Sequence, residues 1–427
     1  MRITFLTQWF HPEPAATRGL PLAAALHARG HEIEVVTGFP NYPGGQLYPG
    51  YRMRTVQRED HGGVNVIRVP LYPSHDRSAL RRLGNYTSFA LSSATIGLAL
   101  ARPSDVLYVY HPPATVGVGA ELWKRLRATP FVLHIADMWP DSVTESGMVS
   151  SRRVRRSMEV ALSWWCRRLY RSAAAITVLS PGFKRLLVER GVSDHKVEVI
   201  YNWADDSTFF PFDASRSESS LGPPGTFTIL YAGNLGRYQC LDAAIRAAHM
   251  LSSLPGFQLA LMGTGQAEPA LRALASELGT RNVRFLPRRD ESEMNGILNQ
   301  ADALLVSLMD LPFFSATIPS KTQVALATGR PVIVAAKGDA ADLVQQAGGG
   351  LVCTPGDSHD MAAVFAQMYR MSPADRAALG ASGRGYYLCN LSLENGAARM
   401  ESLFGQIAAV RHRSSVVGSG SGEANQV

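Results

Sequence analysis

Residues Ile318–Ala335 read IPSKTQVALATGRPVIVA, and they decide how the chain is organised. Pro319 and Ser320 open a helix, Gly329 closes it, and the apolar run Pro331–Ala335 follows at once as a buried strand. Proline at the start and glycine just past the end is the expected asymmetry of a helix. A helix that runs straight into a β-rich apolar segment is a unit of an α/β sheet. Its first turn carries Ser320 and Lys321, so backbone N–H groups, a hydroxyl and an ammonium meet at one helix end. The helix dipole makes that end attractive to an anion, and Pro319, Ser320 and Lys321 are read as binders of a diphosphate.

Working outward, the same alternation recurs. In the second half, Phe227–Ala232, Gln258–Met262, Val283–Leu286, Ala303–Leu308 and Gly350–Cys353 read as strands separated by helices. In the first half, Arg2–Thr7, His31–Thr37, Val64–Pro70, Asp105–Tyr110, Phe131–Ile135, Ala174–Leu179 and Val197–Tyr201 do the same. The expected fold class is α/β, with two Rossmann-like, doubly wound parallel-sheet domains. The expected boundaries are 1–201, a Ser/Gly/Pro-rich linker at 202–225, and 226–390. A last helix at 391–413 crosses back to the first domain, and 414–427 forms a disordered tail.

Composition narrows the class. The chain has 427 residues, 46% apolar and 18% charged, which is ordinary globular material. Cys166, Cys240, Cys353 and Cys389 lie far apart with no C-x-x-C pair, so neither zinc nor a disulfide framework is indicated and a reducing cytoplasm fits. The opening MRITFLTQWF is too short and too interrupted for a signal peptide, and no apolar run has the length of a membrane span. Charge is uneven: residues 1–200 carry 25 Lys/Arg against 15 Asp/Glu, and residues 201–427 carry 17 against 20. A basic first half suits nucleic acid, anionic lipid or a phosphorylated substrate. No nucleic-acid recognition motif accompanies it.

Ligands of doubly wound sheets bind beyond the carboxyl ends of the strands. Three loops of the second half stand there. AGNLGR (Ala232–Arg237) offers Gly233, Asn234 and Arg237, GTG offers Gly263 and Gly265, and the third is the Ser320–Lys321 turn. Glycines let backbone approach a ligand, and arginine can fork onto phosphate. Together they point to a nucleotide diphosphate. There is no G-x-x-x-x-G-K-[ST], which excludes a P-loop ATPase, and no G-x-G-x-x-G after the first strand, which disfavours NAD.

Several motifs resemble one family. QWFHPEPAATRG after the first strand, RGHEIEVVTGFPNYPGG, HIADMWPDS (His134–Ser142), SPGFKRLLVERGV (Ser180–Val192), VIYNWADDSTF (Val199–Phe209) and YAGNLGRYQCLD (Tyr231–Asp242) are similar to glycosyltransferase family 4 with the GT-B fold. Within it they resemble the bacterial O-antigen and capsule enzymes of the N-acetylfucosaminyl transferase and colanic-acid type. The resemblance covers roughly residues 1–410. It implies two facing Rossmann-like domains and a retaining transfer. The first domain holds an acceptor and the second a nucleotide sugar, UDP-linked by preference. No metal or other cofactor is implied, and the nucleotide sugar is a substrate. The implied acceptor class is a lipid-diphosphate-linked sugar in surface polysaccharide or glycolipid assembly, reached from the cytoplasm at the membrane surface.

The sequence also departs from the family. Two glutamates common at seven-residue separation correspond here to Ala316 and Val324, and the usual Arg and Lys of the first glycine loop fall on Asn234 and Gln239. Arg237 and Lys321 are the remaining cations for the diphosphate. Asp137, after the strand ending at Ile135, is the candidate catalytic carboxylate, and His134 is a second candidate. Thr17 and Arg18, near the first helix, and His111, at a strand end, are candidate acceptor contacts. A nucleotide-sugar 2-epimerase of the same fold and a non-catalytic nucleotide-sugar-binding subunit are the alternative readings. RRVRRSMEVALSWWCRRLYR (Arg152–Arg171) sets arginines beside tryptophans, a composition suited to an anionic lipid surface.

Overall fold

The computed structural model describes residues 1–14, 19–75, 78–141, 152–212, 221–223 and 225–419. The chain forms two compact units. One comprises Met1–Leu179, Phe183–Ile200 and the chain from Gly396 onward; the other comprises Ser180–Gly182 and Tyr201–Asn395.

Among the described residues the first unit holds eight strands: β1 (Arg2–Leu6), β2 (Glu32–Gly38), β3 (Gln57–Asp60), β4 (Asn65–Val69), β5 (Val106–His111), β6 (Phe131–Ile135), β7 (Ala175–Val178) and β8 (Val197–Val199). They lie in the order β3-β4-β2-β1-β5-β6-β7-β8. Only β3 is antiparallel, paired to β4 with Gln57 opposite Arg68. Strand β3 escapes the sequence reading because QRED carries no apolar residue and alternates between half-buried and exposed. The hairpin signal was present in Gly62 and Gly63, both at positive φ between β3 and β4. The long helix after β4 runs Ala79–Ser92, passes a π-helical turn at Ser93–Gly97 and ends at Leu98–Leu100.

Among its described residues the second unit has six parallel strands: β9 (Phe227–Ala232), β10 (Phe257–Met262), β11 (Val283–Leu286), β12 (Ala303–Ser307), β13 (Val332–Ala335) and β14 (Gly350–Cys353). Their order is β11-β10-β9-β12-β13-β14, the doubly wound order that reverses between β9 and β12. Alternate residues feed two cores. Leu230, Ala260, Leu304 and Val332 face one, with the helices Ser320–Ala327, Asp339–Ala347 and Pro373–Asn390. Ile229, Leu259, Leu305 and Ile333 face the other, with Leu241–Met250 and Ser358–Arg370. Both faces are covered, so the central strands are predominantly apolar, while the edge strand β11 carries Arg284 and is only partly buried.

Two stretches differ from the sequence reading. Part of the expected 202–225 linker is packed: Ala204 and Phe209 enter the second core, Ala204 N–H donates to the Tyr387 hydroxyl at 3.2 Å, and Phe210 N–H donates to Asn295 at 3.1 Å. Buried Ala204 and Phe209 hold this segment, where composition alone suggested a linker. The last helix runs from Leu393 to Ser419, past the expected start of the tail, and 420–427 lie outside the described residues. Within the first unit that helix places Glu401 against His31 at 2.7 Å and Arg399 against Glu198 at 3.1 Å. Among the described residues no helix is long and apolar enough to cross a membrane.

Candidate active site

In the second unit the three loops read from the sequence do meet. Ala232 and Met262 are opposite one another at the carboxyl ends of β9 and β10, so Gly233 and Gly263 leave the sheet side by side. Gly233 N–H donates to Met262 O at 2.9 Å, and Leu235 N–H donates to Thr264 O at 2.9 Å. Gly263 N–H donates to Leu286 O at 3.2 Å, which adds the end of β11. Gly233 and Gly263 have φ of +143° and +132°, conformations open to glycine. A Cβ on Gly263 would collide with the Gly233 carbonyl, and one on Gly233 would collide with the Lys321 stem. The Gly265 backbone lies against Leu235 O and the Asn234 side chain.

Lys321 enters this cradle from the first turn of the helix Ser320–Ala327, whose N-cap is Pro319. Its ammonium donates to the Tyr231 hydroxyl at 3.2 Å and sits 4.9 Å from that ring's centroid. Tyr231 in turn donates to Asn234 O at 2.7 Å. Helix start and glycine loop are therefore tied through one buried tyrosine. Burial lowers the Lys321 pKa and raises that of Tyr231. A half-desolvated ammonium beside free helix N–H groups is suited to a phosphate, which would restore the charge balance that burial disfavours. Tyr231 was missed in the sequence because it sits inside an apolar strand and reads as core. Arg237 and Ser320 are exposed, and neither side chain makes a hydrogen bond or ion pair among the described residues.

In the first unit, Asp137 is half-buried in the loop that follows β6. His134 is fully buried within β6. Its Nδ1 is 2.8 Å from Thr177 Oγ1, and its ring stacks on Tyr110 at 5.5 Å. Because β6 is buried on both faces, strand position did not tell core from cleft; this histidine packs within the sheet. His111 ends β5, buried, with its ring 5.9 Å from Trp139 and edge-on to it. Neither of its ring nitrogens finds a hydrogen-bond partner among the described residues. Burial pulls its pKa down to about 4, so the imidazole is neutral and offers one donor and one acceptor. Thr17 and Arg18 lie outside the described residues.

The same end of the first sheet carries a buried network that no sequence spacing announced. Glu13 accepts from Phe10 N–H at 3.1 Å, Asn41 N–H at 2.9 Å and Tyr42 N–H at 2.8 Å. Asn85 donates to Asn41 at 3.3 Å, and Gln8 donates to Asn85 at 2.5 Å. Burial pushes the Glu13 carboxyl up to about 7 against those three donors. The network holds the loops after β1 and β2 on the helix Ala79–Ser92. Its members come from three separate parts of the chain, so only the folded sheet brings them together.

Comparison with known proteins agrees with this architecture. Residues 15–203 match the glycosyl transferase 4-like domain, and residues 226–371 match glycosyl transferases group 1. The chain is 30% identical over 319 residues to the putative colanic acid biosynthesis glycosyl transferase WcaI of Escherichia coli strain K12, covering 73% of this chain and 77% of that protein. It is 28% identical over 217 residues to a D-inositol 3-phosphate glycosyltransferase of a Nocardioides species, 46% of each chain. Among solved structures, sucrose-phosphate synthase of Thermosynechococcus elongatus superposes with a TM-score of 0.68 at 19% identity, covering 96% of this chain and all of that one. Anabaena HepE in complex with UDP-glucose superposes with a TM-score of 0.64 at 16% identity, covering 95% and 100%. Two doubly wound sheets, a glycine-and-lysine cradle on the second, and a relative matched over about three quarters of both chains lead to one assignment: the chain belongs to the family 4 glycosyltransferases of GT-B fold, and it is a glycosyltransferase.

Proposed function

We propose that the chain transfers a hexosyl or N-acetylhexosaminyl group, with retention, from a UDP-sugar to a hydroxyl of a lipid-linked sugar. The product belongs to surface polysaccharide or glycolipid assembly, and the enzyme works from the cytoplasm as a peripheral protein at the membrane. The observation that carries the donor half is the cradle of Gly233, Gly263 and Lys321, with Lys321 held 3.2 Å from Tyr231 at a helix start. In the reaction the bond from the anomeric carbon to the diphosphate oxygen breaks, and a bond to the acceptor oxygen forms on the same face. The acceptor proton passes to the departing phosphate oxygen. Lys321 and the N–H groups at Ser320–Lys321 stabilise the charge that develops there. Asp137 supplies a carboxylate to the acceptor side, and His111 a neutral hydrogen-bonding edge. The relatives support a polysaccharide context through the name of WcaI, and HepE is a GT-B protein crystallised with UDP-glucose.

The test is a thermal-shift screen against UDP-, GDP- and ADP-sugars, followed by NMR of the product with a polyprenyl-diphosphate sugar as acceptor. A ligand that binds only the folded state raises its melting temperature by mass action. UDP-sugars should raise it most, and the product anomer should keep the donor's configuration. The Asp137→Asn variant should turn over more slowly with donor affinity unchanged. An inverted product, or a shift confined to GDP-sugars, would require a different assignment.

A further inference from the structure

The helix Arg152–Ser172 buries Cys166, Leu169 and Tyr170 on one side, and its Trp165 donates to Ala114 O at 2.9 Å. At 3.6 residues per turn the opposite line is Arg153, Arg156, Val160, Trp164, Arg167 and Arg171, all within about 60° of one direction. The four arginines on that line are exposed, and Val160 and Trp164 at its centre are 64% and 63% exposed. The stripe therefore has cations at both ends, an uncovered apolar middle, and a length of about 27 Å from Arg153 to Arg171. Arg167 and Arg171 also line a groove of about 410 Å³ with Arg190 and Lys196. Of the neighbouring acids, Glu121 accepts from Arg168 at 3.4 Å and Asp141 pairs with Arg190, while the exposed Glu159 lies about 100° around the helix from Val160, off the line.

We infer that this stripe is the docking surface for an anionic phospholipid bilayer. The helix lies flat, Val160 and Trp164 enter the interface, and the arginine pairs at either end meet lipid phosphates. Three features select lipid among anionic partners. Trp164 stands alone on the stripe, whereas single-stranded nucleic acid needs a series of stacking rings. Tryptophan flanked by arginine is the composition that partitions into the headgroup layer. Long arginine stems cover apolar surface while their heads reach phosphate. The inference deepens the membrane part of the proposed function by naming the face and the lipid chemistry.

The test is co-sedimentation of the full chain with vesicles of phosphatidylcholine alone or containing phosphatidylglycerol. Binding should require phosphatidylglycerol and be reversed by high salt. Arg167→Gln with Arg171→Gln should weaken it roughly fivefold per arginine. Trp164→Ala should weaken it about tenfold. The pair Arg153→Gln and Arg156→Gln, at the other end of the stripe, reads the same loss independently of any local misfolding at the first pair. Equal binding to both vesicle types, or unchanged binding in all three variants, would overturn the inference. So would a stable dimer that Trp164→Ala dissociates without vesicles, which would assign the stripe to a second copy of the chain. UDP affinity measured on the same variants should not move. Failure of docking with UDP binding intact is thus separable from failure of the donor assignment.

Discussion

Replacing Lys321 by methionine tests the donor cradle most directly. Methionine keeps an unbranched apolar stem beside Gly233 and over Tyr231, and removes the ammonium that stands 3.2 Å from the tyrosine hydroxyl. A hydrogen bond to a charged group contributes about 1.5–3 kcal/mol. UDP should therefore bind about 10- to 150-fold more weakly. Calorimetric titration with UDP and with uridine separates phosphate recognition from base recognition, because uridine lacks the groups Lys321 is proposed to hold. Uridine affinity should be unchanged. The pH dependence adds a second readout. Burial lowers the Lys321 pKa in the free protein, and a bound phosphate favours its charged form. On the alkaline side UDP binding should take up a proton and weaken as pH rises, and the Lys321→Met variant should lose that dependence. Unchanged UDP affinity in the variant, or an equal loss for uridine, would refute the reasoning.

Two further predictions concern the scaffold of each unit. Gly263→Ala forces a side chain against the Gly233 carbonyl at a φ of +132°, so calorimetry should show about 1–3 kcal/mol of lost stability together with weakened UDP binding; a variant that melts like the parent and binds UDP normally would mean the two loops do not need this contact. His111 has a folded pKa of about 4 against an ordinary 6.5, so the unfolded chain binds more protons between those values and stability falls as pH drops through that window. The loss from this group is about 2 kcal/mol by pH 5, and denaturant titrations of His111→Gln should show a shallower acid decline than the parent. Equal declines would show that another group carries the acid sensitivity.

The sequence made the repetitive part of the architecture legible. Val332–Ala335 and Phe227–Ala232 were readable because a strand covered on both faces is a nearly continuous apolar run, and the helix Ser320–Ala327 because Pro319 and Gly329 mark its ends. The glycine loops were readable for the same reason, since each follows such a run directly. What escaped was whatever depends on contacts between distant residues. Tyr231 matters through a hydroxyl that reaches Lys321, ninety positions away in the chain, and nothing local marks it. His134 and His111 both stand at strand positions with similar neighbours, yet one is enclosed by Tyr110 and Thr177 and the other has neither ring nitrogen engaged among the described residues. The packed arm around Phe209 reads as a linker because this one aromatic anchor is outweighed by the Asp, Ser and Pro around it.

The two proposed anion-binding features differ in a way that ionic strength exposes. The proposed donor cradle would rely on one partly buried lysine and on backbone groups at a helix start, and such sites are screened weakly because ions cannot enter between the charges. The outer stripe relies on exposed arginines, whose attraction to a bilayer falls away within a Debye length of about 8 Å at physiological ionic strength. Raising salt should therefore release the protein from vesicles while leaving UDP affinity nearly as it was. A soluble acceptor analogue would then be glycosylated at high salt as at low salt, whereas a vesicle-borne acceptor would lose most of its turnover. If both acceptors responded alike, the basic helix would have no part in presenting the substrate, and the charge asymmetry between the halves of the chain would need another cause.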